Sequence, residues 1–196
     1  METNMIVQGP TIYLRTILES DLDFLFARIN DIELRGPYFP VWIQSQAGFR
    51  RRFQEDGFWS EGSGTLVICA NDDSRILGQI MRFRATPYWD SYELGYRLLD
   101  RSLEGRGVTT EALMLFSYAL FTSDPVHRLE LQIVPDNLAS RRVAEKCGYR
   151  YESTARQVLH RGNAHLDMMT YALLRPDAPA TLAEAIARLA APPPQS

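Results

Sequence analysis

Gly105 and Gly107 stand two residues apart between a strand pattern, Tyr92 to Leu99, and a helix pattern in which Ala112, Leu113, Leu115, Phe116, Ala119 and Leu120 form an apolar stripe. Glycine takes backbone angles closed to other residues and lets a ligand approach the main chain. Several N–H groups then converge at the start of a helix, whose dipole favours negative charge. The stretch Ser102-Leu103-Glu104-Gly105-Arg106-Gly107-Val108-Thr109-Thr110-Glu111 therefore reads as a pyrophosphate cradle. A plain tight turn is the competing reading of the same residues.

Two familiar phosphate loops do not fit. A P-loop needs Gly-x-x-x-x-Gly-Lys-Ser/Thr, and the chain holds no such run. A dinucleotide-binding fingerprint needs a third glycine, where this chain has Thr110, and it lies early in a repeated βαβ chain rather than in the middle. A coenzyme A site remains. Downstream, Leu129 to Val134 alternates as a strand, and Asn137-Leu138-Ala139-Ser140 opens a short helix that runs into Glu145-Lys146-Cys147-Gly148-Tyr149.

That pattern, strand, Asn-x-x-Ser, helix, Glu-Lys-x-Gly-aromatic, resembles the second signature of the GNAT acyltransferases. The Gly-Arg-Gly loop with Thr110-Glu111-Ala112 resembles their first. Tyr92-Glu93-Leu94-Gly95-Tyr96-Arg97-Leu98 is similar to the strand before the loop in the ribosomal-protein N-terminal acetyltransferase branch, and the likeness spans about residues 11 to 175. Three positions depart from the family: Glu104 opens the loop in place of Gln or Arg, Thr109 closes it in place of Gly or Ala, and Ala144 stands where many members carry a catalytic Tyr.

The resemblance implies an α/β (α+β) fold. A mixed, mostly antiparallel seven-stranded sheet would have a splayed central parallel pair, flanked by about four helices. It implies transfer of acetyl from acetyl-CoA to a primary amine by direct attack on the thioester, with no metal. Alternatives are another acyl group, a hydroxyl acceptor, or a degenerate module that only binds CoA or a partner. Leu99, Glu104, Gly105, Arg106, Gly107, Val108, Thr109, Asn137 and Arg141 are the expected cofactor contacts, with N–H groups around Leu98 to Asp100 polarising the thioester carbonyl. Glu93 is the expected base and Ser140 the expected acid. Their rivals are a cross-strand charge pair for Glu93, a backbone-bonded helix residue for Ser140 and a helix N-cap for Asn137. Tyr38, Trp42, Tyr88, Trp89, Asp90 and Asp167 are expected to flank the acceptor.

Bulk properties narrow the partners. The chain's 196 residues suit one domain, taken as 1–176 with a short Ala/Pro-rich tail over 177–196, within which Leu182 to Leu189 has a helical apolar face. A net charge of −3 gives no field for nucleic acid. Cys69 and Cys147 are too few for a disulfide framework, and His127, His160 and His165 lack metal-ligand spacing. With no export signal and no apolar run of membrane length, a cytoplasmic monomer or homodimer is expected, acting on a small-molecule amine or a protein N-terminus. Elsewhere Thr11 to Arg15, Leu66 to Ala70 and Ile76 to Phe83 read as strands. Leu22, Leu25, Phe26 and Ile29 share a helix face that Ser20 or Asp21 can cap, and residues 151–174 read as a hairpin.

Overall fold

The computed structural model describes residues 5–38, 43–84, 86 and 88–190. The sheet runs in the order β1-β2-β3-β4-β5-β6-β8-β7. Its strands are β1 (Met5–Gln8), β2 (Ile12–Thr16), β3 (Ser63–Ala70), β4 (Ile76–Phe83), β5 (Ser91–Leu98), β6 (Arg128–Ile133), β7 (Arg150–Arg161) and β8 (Ala164–Leu174). Every neighbouring pair is antiparallel except β5 and β6. The helices are α1 (Leu22–Asn30), α2 (Ile32–Arg35), α3 (Gln46–Asp56), α4 (Val108–Ser123), α5 (Leu138–Lys146) and α6 (Leu182–Ala190).

The sheet has eight strands rather than seven, because the four-residue β1 pairs with β2. Among the described side chains of that strand only Val7 is deeply buried, and four residues carry little period-two signal. The helices exceed the expected four through α2, a single turn, and α6, whose Ala185 is buried in the core beside α4.

Alternation along β3 divides the core. Leu66 and Ile68 face α4, whereas Val67 and Cys69 face α1 and α3 with Leu25, Ile29, Phe49 and Phe58. Apolar residues surround α4 because strands lie on one side of it and α5 and α6 on others. Asp21 does not cap α1. It is buried, takes both guanidinium nitrogens of Arg15 at 2.6 and 3.0 Å, and accepts the Leu18 N–H. Asn137 does cap α5, its Oδ1 accepting the Ser140 N–H at 3.1 Å.

The parallel pair fixes the place of the site. β5 and β6 are in register only from Ser91–Arg128 to Leu94–Leu131, although β5 runs on to Leu98. Beyond Leu94 the two strands part, and their backbone edges face a gap.

Candidate active site

The gap between β5 and β6 opens into a cleft of about 780 Å³. At one end lies the glycine loop. Gly105 has φ 73° and Gly107 φ 83°, and a Cβ built on either meets no atom within 4 Å. The left-handed angles call for glycine, and the space before the loop is open to a ligand. Helix geometry leaves the N–H groups of Val108, Thr109 and Thr110 without carbonyl partners inside α4. These features fit a pyrophosphate. Thr109 and Glu104 line this end of the cleft, and Glu104 is exposed.

Glu111, four residues past Gly107, turns away from the cleft. Its carboxylate accepts the N–H groups of Thr11 and Ile12 and the Thr11 hydroxyl, at 2.9, 3.1 and 2.5 Å, which fastens α4 to the turn between β1 and β2.

Glu93 lines the cleft from β5. Burial raises its pKa above the ordinary carboxylate value, and the charge of Glu130, its register neighbour on β6, raises it further. Glu130 itself is paired with Arg128 at 2.6 Å, and Arg128 also holds Glu152. Among the described residues Glu93 has no ion pair, so the cross-strand charge pair is absent there. The arrangement suits a carboxylate held ready to take a proton.

Ser140 and Asn137 line the opposite wall, from α5. The Ser140 hydroxyl lies 2.7 Å from the phenol oxygen of Tyr96, which reaches across from β5. Sequence reasoning assigned Tyr96 no role. Its phenol pKa is raised, chiefly by burial. Ala144 is fully buried and offers the cleft no group.

Of the N–H groups expected around Leu98 to Asp100, that of Leu98 faces the gap and that of Leu99 does not. The Leu99 N–H is already bonded to Leu77 O at 2.9 Å, within the ladder with β4. Successive N–H groups of a strand point to opposite edges. Those of Tyr96 and Leu98 therefore face the gap, and Leu99 packs into the core beside α1 and α3.

Arg141 also departs from expectation. It donates to Tyr171 Oη at 3.2 Å and Pro135 O at 3.4 Å, and it borders a separate small depression with Leu138, Arg142 and Glu145. Arg106 is exposed in the loop.

Leu34, Met81, Phe83, Leu159 and Met168 supply apolar wall to the cleft, Phe83 as the register neighbour of Glu93 on β4. None was singled out from the sequence, since only the stacking of α2, β4 and the β7–β8 hairpin around the gap brings them together. Tyr38 lines the cleft as well, its hydroxyl donating to Asp136 O at 3.2 Å. Arg101 donates to Glu33 O and Arg161 to Gly36 O, so the segment from Glu33 to Tyr38 is tied down at three points. Tyr88 and Trp89 are not cleft residues: they are 93% and 59% exposed on the loop before β5. Asp90 is exposed on the same loop, and its backbone carbonyl accepts the His127 N–H. Asp167 Oδ1 accepts the Gln157 N–H at 2.9 Å, which braces an irregularity in β7 where Gln157 has φ 55°; it too lies off the cleft. Trp42 lies outside the described residues.

Among the described residues, no helix is long and apolar enough to cross a membrane, and no three His, Cys, Asp or Glu side chains are grouped to hold a metal.

Comparison with known proteins agrees with this geometry. The family model described as Acetyltransferase (GNAT) domain matches residues 11–150. The probable N-acetyltransferase YjcK of Bacillus subtilis (strain 168) is 28% identical, over 88% of this chain and 98% of its own. The ribosomal-protein-serine acetyltransferase of Escherichia coli (strain K12) is 25% identical, over 68% of this chain and 74% of its own. Among solved structures, RimL, a ribosomal L7/L12 alpha-N-protein acetyltransferase in complex with coenzyme A, shares the fold. Its TM-score is 0.76 at 19% identity, covering 87% of this chain and 97% of that one. The family match spans the glycine loop, the splayed strands and α5 together, and the chain belongs to the GNAT acetyltransferases, as an acyltransferase.

Proposed function

We propose that the chain transfers acetyl from acetyl-CoA to a primary amine on an apolar body, by direct attack of the amine on the thioester. The observation that carries this reading is the gap between β5 and β6, with the glycine cradle at one end and an unpaired, partly desolvated Glu93 towards the other.

Glu93 takes the proton of the attacking nitrogen, directly or through water. The Leu98 N–H points at the oxygen on which negative charge develops. The Ser140 hydroxyl donates to the departing sulfur. The loop from Glu104 to Thr109 and the free amide nitrogen of Asn137 hold the cofactor. No group in the cleft needs to form a covalent intermediate, because both reactants are held side by side.

The apolar wall of the cleft supports the choice of acceptor. A polyamine brings several positive charges, and the cleft lining offers two carboxylates, of which Glu104 lies at the cofactor end and only Glu93 is left for the acceptor. A protein N-terminus or a ring-bearing amine brings one. The E. coli relative is a ribosomal-protein-serine acetyltransferase, which supports the former. Thiol release from acetyl-CoA, followed with N-terminal peptides, arylalkylamines and spermidine, tests this. Turnover is expected with singly charged amines bearing apolar side chains. Preferred turnover of spermidine would overturn the acceptor assignment, and no release with any amine would overturn the activity.

Glu104 supplies a second test. An exposed carboxylate on the cofactor wall opposes a pyrophosphate. Glu104→Gln is expected to tighten CoA binding about two- to five-fold, the scale of an exposed charge interaction, with the gain shrinking as salt rises. Calorimetry at low and high ionic strength checks both.

A further inference from the structure

We propose that Tyr96 is a positioning residue that donates its phenolic proton to Ser140 Oγ, leaving the Ser140 proton free to point at the leaving sulfur. This rests on the acetyl-transfer reading above and adds the device that orients its acid.

The two oxygens are 2.7 Å apart, and both side chains line the cleft. Each hydroxyl has one proton, so one of the two must accept. A phenol is a stronger acid than an alcohol, which makes Tyr96 the better donor and Ser140 the better acceptor. Burial raises the phenol pKa further, so Tyr96 keeps its proton across the neutral range. The rest of Ser140 is also fixed: its N–H is bound by Asn137 Oδ1 at 3.1 Å. The Tyr96 oxygen also lies 3.4 Å from the Ser140 carbonyl, but the 2.7 Å contact with Oγ is the shorter and takes the phenolic proton, which leaves the Ser140 proton to point into the cleft.

The proton count closes without ionising Tyr96. The C–N bond forms and the C–S bond breaks. The amine nitrogen gives one proton to Glu93, and the thiolate, hydrogen-bonded by Ser140 as it leaves, takes one back from solvent. Tyr96 and Ser140 end as they began. Ala144 is buried and carries no hydroxyl, so a tyrosine on the strand acting through a serine on the helix serves where a helix tyrosine is missing.

The test compares Tyr96→Phe, Ser140→Ala and the double variant, with acetyl-CoA and one reactive amine. Tyr96→Phe removes one oxygen and keeps the ring. Its kcat is expected to fall about tenfold, the scale of one lost hydrogen bond, with the KM for acetyl-CoA and the CoA affinity by calorimetry unchanged. In the Ser140→Ala background the same change is expected to have no further effect, because the hydroxyl it positions is gone. Wild-type kcat in Tyr96→Phe, losses that multiply in the double variant, or weakened CoA binding by Tyr96→Phe would each overturn the inference, the last pointing to cleft packing instead. A wild-type protein that releases no thiol would remove the acetyl-transfer reading and this one together; an active wild type with an indifferent Tyr96→Phe removes this one alone.

Discussion

Glu93→Gln is expected to lower kcat/KM for amine acetylation about a hundredfold, the lower range for loss of a general base, and to change the shape of its pH dependence. Reaction needs a neutral amine and an ionised Glu93. Below both pKa values the wild-type kcat/KM should fall a hundredfold per pH unit, as two protons must leave, and that of Glu93→Gln only tenfold. The break attributable to Glu93 should lie above the ordinary carboxylate value of about 4.3, because burial and then Glu130 disfavour its charge. Glu130→Gln separates the two causes. It keeps a hydrogen-bond acceptor for Arg128 and removes the neighbouring negative charge, so the break should move to lower pH. Since burial is the larger cause, the break should remain above the ordinary value. An acceptor of ordinary amine basicity is needed to keep the two breaks apart. Equal slopes in wild type and Glu93→Gln would show that another group, or water alone, takes the proton.

The fold and the site differ in how far the sequence discloses them, and the difference follows the distance over which each is decided. The loop at Gly105 and Gly107 is legible because its demands are local: positive φ at two residues, a helix beginning at the next, an apolar stripe after that. The strands from β2 to β6 and the β7–β8 hairpin are legible for the same reason, since each carries its own period. β1 is too short to do so. The parallel pair came from two signatures in order, and the structure places it at the centre of the sheet. Side-chain destinations depend on register between remote segments. Whether Leu98 or Leu99 turns its N–H to the gap is set by the pairing of Leu99 with Leu77 on β4. Tyr96 meets Ser140 across 44 residues, after a helix and a strand have intervened. Tyr88 and Trp89 read as loop aromatics near the acceptor side, but the loop before β5 carries them into solvent, and Phe83 and Met81 of β4 take the wall instead. Arg141 and Asp167 have chemistry suited to a cofactor and an acceptor, yet each is engaged by its own neighbourhood.

The glutamate of the Thr-Glu-Ala run beside the cradle is the residue whose role sequence position most invites one to misassign. Glu111→Ala is expected to destabilise the fold by about 1–3 kcal/mol and to leave CoA affinity of the folded protein unchanged. Glu111 is 7% exposed and takes three donors from the turn before β2, two of them backbone N–H groups. Alanine leaves the buried Ile12 N–H without an acceptor, while the two donors of the exposed Thr11 turn to water. Each unsatisfied buried group costs about 1–3 kcal/mol, and bonds to a charged acceptor lie at the upper end. The approach is close enough to dictate a second residue. A Cβ at Gly9 would lie 2.5 Å from Glu111 Oε1 and 2.7 Å from Leu115 Cδ1, so Gly9→Ala pushes against the same contact from the other side. Because both changes break one joint, the double variant should be less destabilised than the sum of the single losses. For a domain of this size the Glu111→Ala loss corresponds to a Tm about 2–12 °C lower. Denaturant melts of the four proteins measure it, and calorimetry with CoA below the melting range separates joint from cradle. A Glu111→Ala protein of wild-type stability that no longer binds CoA would place the carboxylate's effect at the cofactor instead of at the turn between β1 and β2.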